Sequence, residues 1–165
     1  MKIDIRRLIP TKENVFEEEI SLDEEKFHLQ LPLLEVQKLT AKAVVHRYSD
    51  FVNLVLRVEA DVVLQCSYTL KPFPSHLCEE DEINFSSYEE DDGGDMQYYK
   101  GNVIDLDEYI YNLLSAAVPT SPRAPGAKLP SSGNGFRVLS DQEYQHEKEE
   151  STDPRFDALK DIEID

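Results

Sequence analysis

The sequence predicts an α+β domain: an antiparallel β-sheet meander, one main packing helix, and a polar, partly flexible C-terminal tail. From Val52 to Cys66 every second residue is apolar (Val52, Leu54, Leu56, Val58, Ala60, Val62, Leu64, Cys66), with Asn53, Arg57, Glu59, Asp61 and Gln65 between them. That is a strand with one face on a core and the other in water. Leu39, Ala41, Ala43 and Val45 alternate in the same way just before it, separated from it by Tyr48, Ser49 and Asp50, and two such strands on so short a link predict an antiparallel hairpin. Leu106, Tyr109, Ile110, Leu113, Leu114 and Ala117 recur at helical spacing and supply the packing stripe.

Taken in order, the opening stretch to Ile9 holds Ile3, Ile5, Leu8 and Ile9 but is too short to classify, and Pro10 stops it. A strand is expected from Val15 to Leu22, then a charged connection and the apolar stretch Phe27 to Leu34. The Val52 to Cys66 segment exceeds the roughly 3 to 10 residues usual for a strand, which predicts a bend or bulge near Glu59 to Asp61. Lys71, Pro72, Phe73 and Pro74 should end it, with a return strand in the Leu77 to Tyr88 region. On the outer face Val55 and Val63 break the polarity and mark spots for a cover. Asp105, as N-cap with Glu108 three positions on, forms a capping-box pattern that opens a helix running to Val118, and Pro119 forbids its continuation.

Beyond Val118 the composition changes. Proline, glycine and serine crowd residues 119–135, which cannot sustain a core, so the expected organisation is a domain over 1–118 and a loop and acidic tail over 119–165. Phe136, Val138 and Leu139 suggest one short strand or docking segment, charge then dominates to Glu150, and Asp153 before Pro154, with Phe156, Leu159 and Ile162 behind, predicts a short terminal helix.

The chain has 165 residues and a net charge of -17, which repels phosphate backbones and suits a basic protein partner. A small basic cluster, Lys38, Lys42, His46 and Arg47, is the place where direct RNA binding could still occur. Met1 to Pro10 lacks the apolar run of a secretory signal and no stretch approaches the ~20 apolar residues of a membrane span, so a soluble, cytoplasmic protein is expected, with Cys66 and Cys78 as thiols. Asp91 to Asp95 is acidic and carries glycines but lacks EF-hand spacing and a closing Glu; it reads as a solvated loop. For Cys66 to be a nucleophile, His46 or His76 would have to reach it, and its place on the apolar face argues for burial instead. No phosphate-binding glycine loop is present. Catalytic, cofactor-binding and metal sites are not expected, and the chain does not read as an enzyme.

Three stretches in order resemble the bacterial large ribosomal RNA subunit accumulation protein family, the YceD or YlbN type. They are Cys66, Ser67, Tyr68, Thr69, Leu70, Lys71, Pro72 and Phe73; then Gly101, Asn102, Val103, Ile104, Asp105 and Leu106; then Asp153, Pro154, Arg155 and Phe156. The resemblance covers the chain from about Leu39 onward. It implies a role in synthesis, processing or stability of large-subunit (23S) ribosomal RNA, with no assigned catalysis, and a gene commonly beside that of a small basic ribosomal protein. Many relatives carry Cys-x-x-Cys at the first stretch and further Cys or His after the helix, a pattern that could hold zinc. Here Thr69 takes the place of the second Cys, and residues 118–128 contain neither Cys nor His. The expected function is a non-enzymatic ribosome-biogenesis factor whose partner is a basic ribosomal protein or a pre-ribosomal particle, with direct RNA binding or processing as the alternative.

Overall fold

Seven strands and two α-helices arise along the chain in this computed structural model, which describes residues 1–23, 26–49, 51–88 and 96–150. The strands are β1 (Lys2–Asp4), β2 (Glu13–Glu19), β3 (Leu33–Arg47), β4 (Phe51–Gln65), β5 (Pro72–Ser86), β6 (Met96–Tyr98) and β7 (Val103–Asp105); the helices are α1 (Asp107–Ala117) and α2 (Asp141–Glu150). Strands β2 to β5 form an antiparallel meander, β6 adds in parallel at the end of β5, and β1 pairs with β7 in a separate ribbon. This is the α+β architecture that the alternating segments predict.

Every even residue from Val52 to Cys66 is buried, so the alternation translates directly into a two-faced strand. Ala41, Ala43 and Val45 of β3 and Leu77, Ile83 and Phe85 of β5 extend that face sideways. Leu106, Ile110 and Leu114 close it from above, each fully buried and worth roughly 1.5–3 kcal/mol of transfer free energy. Tyr111 is buried as well, stacking at a tilt on Phe27, while its hydroxyl accepts the Asp23 N–H at 3.3 Å. Ile3, Ile5 and Leu8 complete the core from the amino-terminal segment.

Several boundaries differ from the sequence reading. The bend or bulge expected near Glu59 to Asp61 of β4 is met by an irregularity beside Asp61: β4 pairs with β5 without a register shift, but its pairing with β3 shifts between the Val36–Val62 and Lys38–Asp61 pairs. The irregularities lie on the partner strand, at the shifts between Leu33 and Glu35 and between Val36 and Lys38, which let the long ribbon twist while β4 stays regular. Pro72 opens β5 and Pro74 lies within it, opposite Gln65 and Val63. Proline is tolerated there because these positions direct their nitrogens away from β4; the Gln65 N–H itself goes to the Pro32 carbonyl on the other side. Asp105 ends β7, one residue before the observed N-cap position, yet its carboxylate still accepts the Asp107 N–H at the start of α1. The α1 helix starts two residues later, at a Leu106 N-cap with no side-chain bond, and Glu108 closes no box.

Residues Met1–Ala124 form one compact unit and Pro125–Asp165 another. In the second, Gly133 and Phe136 make an isolated bridge where a short strand was expected, and the charged stretch before Glu150 folds as α2. Ser140 and Glu143 begin that helix with a reciprocal box: Ser140 Oγ accepts the Glu143 N–H, and the Glu143 carboxylate accepts the Ser140 N–H. The acidic loop Asp91 to Asp95 and the terminal helix expected from Asp153 lie outside the described residues.

Candidate functional site

The first motif is the tight turn between β4 and β5. Leu70 N–H returns to the Cys66 carbonyl at 2.8 Å and Cys66 N–H reaches the Lys71 carbonyl at 2.9 Å, so Cys66 to Lys71 closes as a single loop. Gln65 Nε2 donates to the Leu70 carbonyl, and the Thr69 hydroxyl accepts the Lys71 N–H. The loop closes by placing Leu70 at φ 57, a left-handed conformation unusual for a leucine, with its side chain exposed. Beyond the turn Pro72 is exposed and Phe73 is partly buried against the core.

A segment that follows α1 is fastened to this turn. Ser67 donates both its N–H and its hydroxyl to the Pro122 carbonyl, and the Arg123 guanidinium lies 4.6 Å over the Tyr68 ring. The Cys66 sulfur accepts the Ala124 N–H at 3.4 Å. That N–H, then the Thr69 hydroxyl and nearby backbone N–H groups, draw the thiol from 9.0 down to about 7, while burial opposes them. Pro122 is buried, so order continues past the boundary expected at Val118. Among the described residues no group of three or more His, Cys, Asp or Glu side chains is placed to hold a metal ion. His46 and His76 project from the opposite face of the sheet to Cys66, at the cross-strand positions of Asn53 and Asp61.

The second motif lies toward the other end of β4. Gly101, at φ 85, turns the chain toward β7; the Asn102 carbonyl just before that strand accepts the Ile5 N–H, and Ile104 within it and Leu106 after it are buried. Asp105 accepts the Asp107 N–H and pairs with Lys2 at 3.1 Å. Partial burial works against its charge, but these two donors hold the carboxyl below the usual range. The two motifs therefore form separate structural joints, connected by α1, rather than one pocket. Asp153, Pro154 and Arg155 of the third motif lie outside the described residues.

A different surface gathers charge. The face of the sheet opposite α1 carries Glu13, Glu17 and Glu19 of β2, Glu35 of β3, Glu59 and Asp61 of β4, and Glu80 and Glu82 of β5. The basic residues Lys38, Lys42 and His46 are interleaved among these carboxylates. Lys42 lies between Glu17 and Arg57 in register, Lys38 opposite Asp61, and His46 lies 4.0 Å from Glu13. Arg57 pairs with Glu59 at 2.8 Å, His76 with Asp61 at 2.8 Å, and Arg47 donates to the Ile5 carbonyl. Val15, Val44 and Val55 form an apolar row across the same face. The alternation of β4 announced this face, but its acidity depends on cross-strand register, which no local spacing reveals.

The turn, the β7 joint and the residues between them fall inside the region, residues 54–163, that matches the family described as Large ribosomal RNA subunit accumulation protein YceD. The chain belongs to that family. The match begins at Leu54 rather than near Leu39, so β2 and β3 lie outside it, and it takes in most of β4, all of β5 and α1, and α2. No curated protein and no solved structure matches the chain. Among the described residues no helix is long and apolar enough to cross a membrane.

Proposed function

We propose that this YceD-family chain is a cytoplasmic, non-enzymatic ribosome-biogenesis factor that supports large-subunit ribosomal RNA synthesis, processing or stability by binding a basic ribosomal protein, free or within a pre-ribosomal particle. The observation that carries the reading is the open sheet face, where rows of carboxylates stand on a rigid frame and most cations are already beside a carboxylate. A basic polypeptide gains Coulomb energy against such a face, whereas a phosphate backbone meets repulsion at nearly every row. The family's named role in ribosomal RNA accumulation follows indirectly: a ribosomal protein kept soluble and delivered on time protects the RNA that it binds. Burial of Cys66 and its distance in the fold from His46 and His76 support a non-catalytic role.

Affinity capture of the tagged chain from its own cell extract, with and without ribonuclease, tests this. A basic large-subunit protein retained after ribonuclease is the expected result. Large-subunit RNA recovered alone, and lost with ribonuclease, would replace the reading with direct RNA binding.

A further inference from the structure

The five-stranded sheet ends in β2 and β6, but β6 (Met96–Tyr98) is far shorter than β5, the strand it adds to. Among the described residues β6 covers only Asn84 to Ser86 of the outer edge of β5, so Pro72 to Ile83 pairs on one side only. The antiparallel alternation decides which groups face outward. Cys66 and Lys71 are a bonded pair, and the unshifted register then turns the odd residues of β5 toward β4 and the even ones away. Pro72 and Pro74 have the outward parity, consistent with their missing N–H groups. Glu82 has it too, and its N–H is taken up by the Asp81 carboxylate at 2.9 Å. His76, Cys78 and Glu80 thus present a ladder of outward N–H and C=O groups.

Charge flanks that ladder on both sides. Glu80 and Glu82 stand on the open face, Glu79 and Asp81 on the helix side, and all four are exposed. On the helix side a cleft of about 270 Å³ opens between β5 and α1, lined by Leu56, Ile83, Tyr109 and Leu113 together with Asp81. Charged edges commonly serve to block unwanted pairing. This one differs in carrying a single sign of charge beside an apolar cleft, which repels a second copy of the chain and attracts a cationic one.

We propose that the outer edge of β5 from His76 to Glu82 is a strand-addition site for an extended basic segment of the partner, with lysine or arginine between the carboxylates and an apolar side chain in the cleft beside α1. The inference rests on the preceding reading that the partner is basic. On docking, a carbonyl of the incoming strand replaces Asp81 on the Glu82 N–H, and the released carboxylate faces the incoming cation. Main-chain bonds supply affinity and the alternating pockets supply selectivity, as in other edge-strand recognition.

The test is binding of a labelled short peptide of alternating lysine and valine to the full chain at physiological salt. Cys78→Pro removes one outward N–H without changing charge, and its parity is that of Pro72 and Pro74, so the sheet should tolerate it. An affinity loss of about tenfold is expected, with Cys78→Ser unchanged. The same peptide N-methylated on alternate residues should lose as much against unaltered protein, which keeps the test valid if Cys78→Pro fails to fold. Equal binding by the methylated peptide would overturn strand addition and leave the basic-partner reading intact. Failure of every basic polypeptide to bind would overturn both. A dimer of the chain alone that Cys78→Pro dissolves would assign the edge to a second copy instead.

Discussion

The Cys66 sulfur accepts the Ala124 backbone N–H at 3.4 Å, joining the β4–β5 turn to the segment after α1 across 58 positions of sequence. With the two bonds from Ser67 to the Pro122 carbonyl, it makes the most local family motif the place where the helix exit is anchored.

This contact has a titration signature. In a Cys78→Ser background, thiolate absorbance should give Cys66 a midpoint about 7 against an ordinary 9.0. The folded value lies below the unfolded one, so the stabilisation is complete above the unfolded value and lost as pH falls through the folded one. Stability to urea should therefore rise from pH 7 to pH 9. Ala124→Pro, which removes the donor, should move the midpoint upward; an unmoved midpoint would show that other groups depress it.

Parity along β4 sets the cost of truncation. Leu54 is fully buried and Val55 faces the open side, so Leu54→Ala should cost about 2–5 kcal/mol and Val55→Thr about 0.5 kcal/mol or less. Urea unfolding midpoints for the two variants measure the difference directly, and equal losses would contradict the assigned faces.

Leu70 holds a left-handed conformation that costs a residue with a side chain roughly 1–2 kcal/mol. Leu70→Gly relieves that cost, and the greater freedom of glycine in the unfolded chain offsets part of it, by about 0.5–1 kcal/mol. A small net gain in stability is expected from thermal unfolding; a loss would mean that the exposed leucine side chain packs more tightly than its exposure indicates.

Ser140 caps α2 through Glu143. Ser140→Ala should weaken that helix by about 1 kcal/mol and accelerate amide exchange at Glu143 and Tyr144. Exchange in β4 should not change, since the box lies in the other compact unit.

The sheet was legible because burial of one face imposes a period of two on β3 and β4, and the stripe of α1 was legible for the equivalent helical reason. The start of β5 was not, because Pro72 and Pro74 look like breakers until the edge they face is known. Asp105 and Glu108 imitate a capping box, but pairing of β7 with β1 through Ile3 and Ile104 draws Asp105 into a strand. The box at Ser140 and Glu143 has the same spelling and was hidden in a run of charge with no apolar stripe behind it. The turn at Cys66 stood out as a motif, whereas its partners Pro122 and Ala124 did not, since they contribute backbone groups that every residue has. The acidic face required register, which sets Glu17, Lys42, Arg57 and Glu80 side by side from four distant stretches.

The most direct measurement is a pair of titrations of the purified chain at physiological salt, one with a basic large-subunit ribosomal protein and one with large-subunit ribosomal RNA. The account predicts saturable binding of the protein, weakened by Glu17→Gln with Glu59→Gln on the open face, and little affinity for the RNA. Tight RNA binding that survives those substitutions, with no affinity for the basic protein, would contradict it.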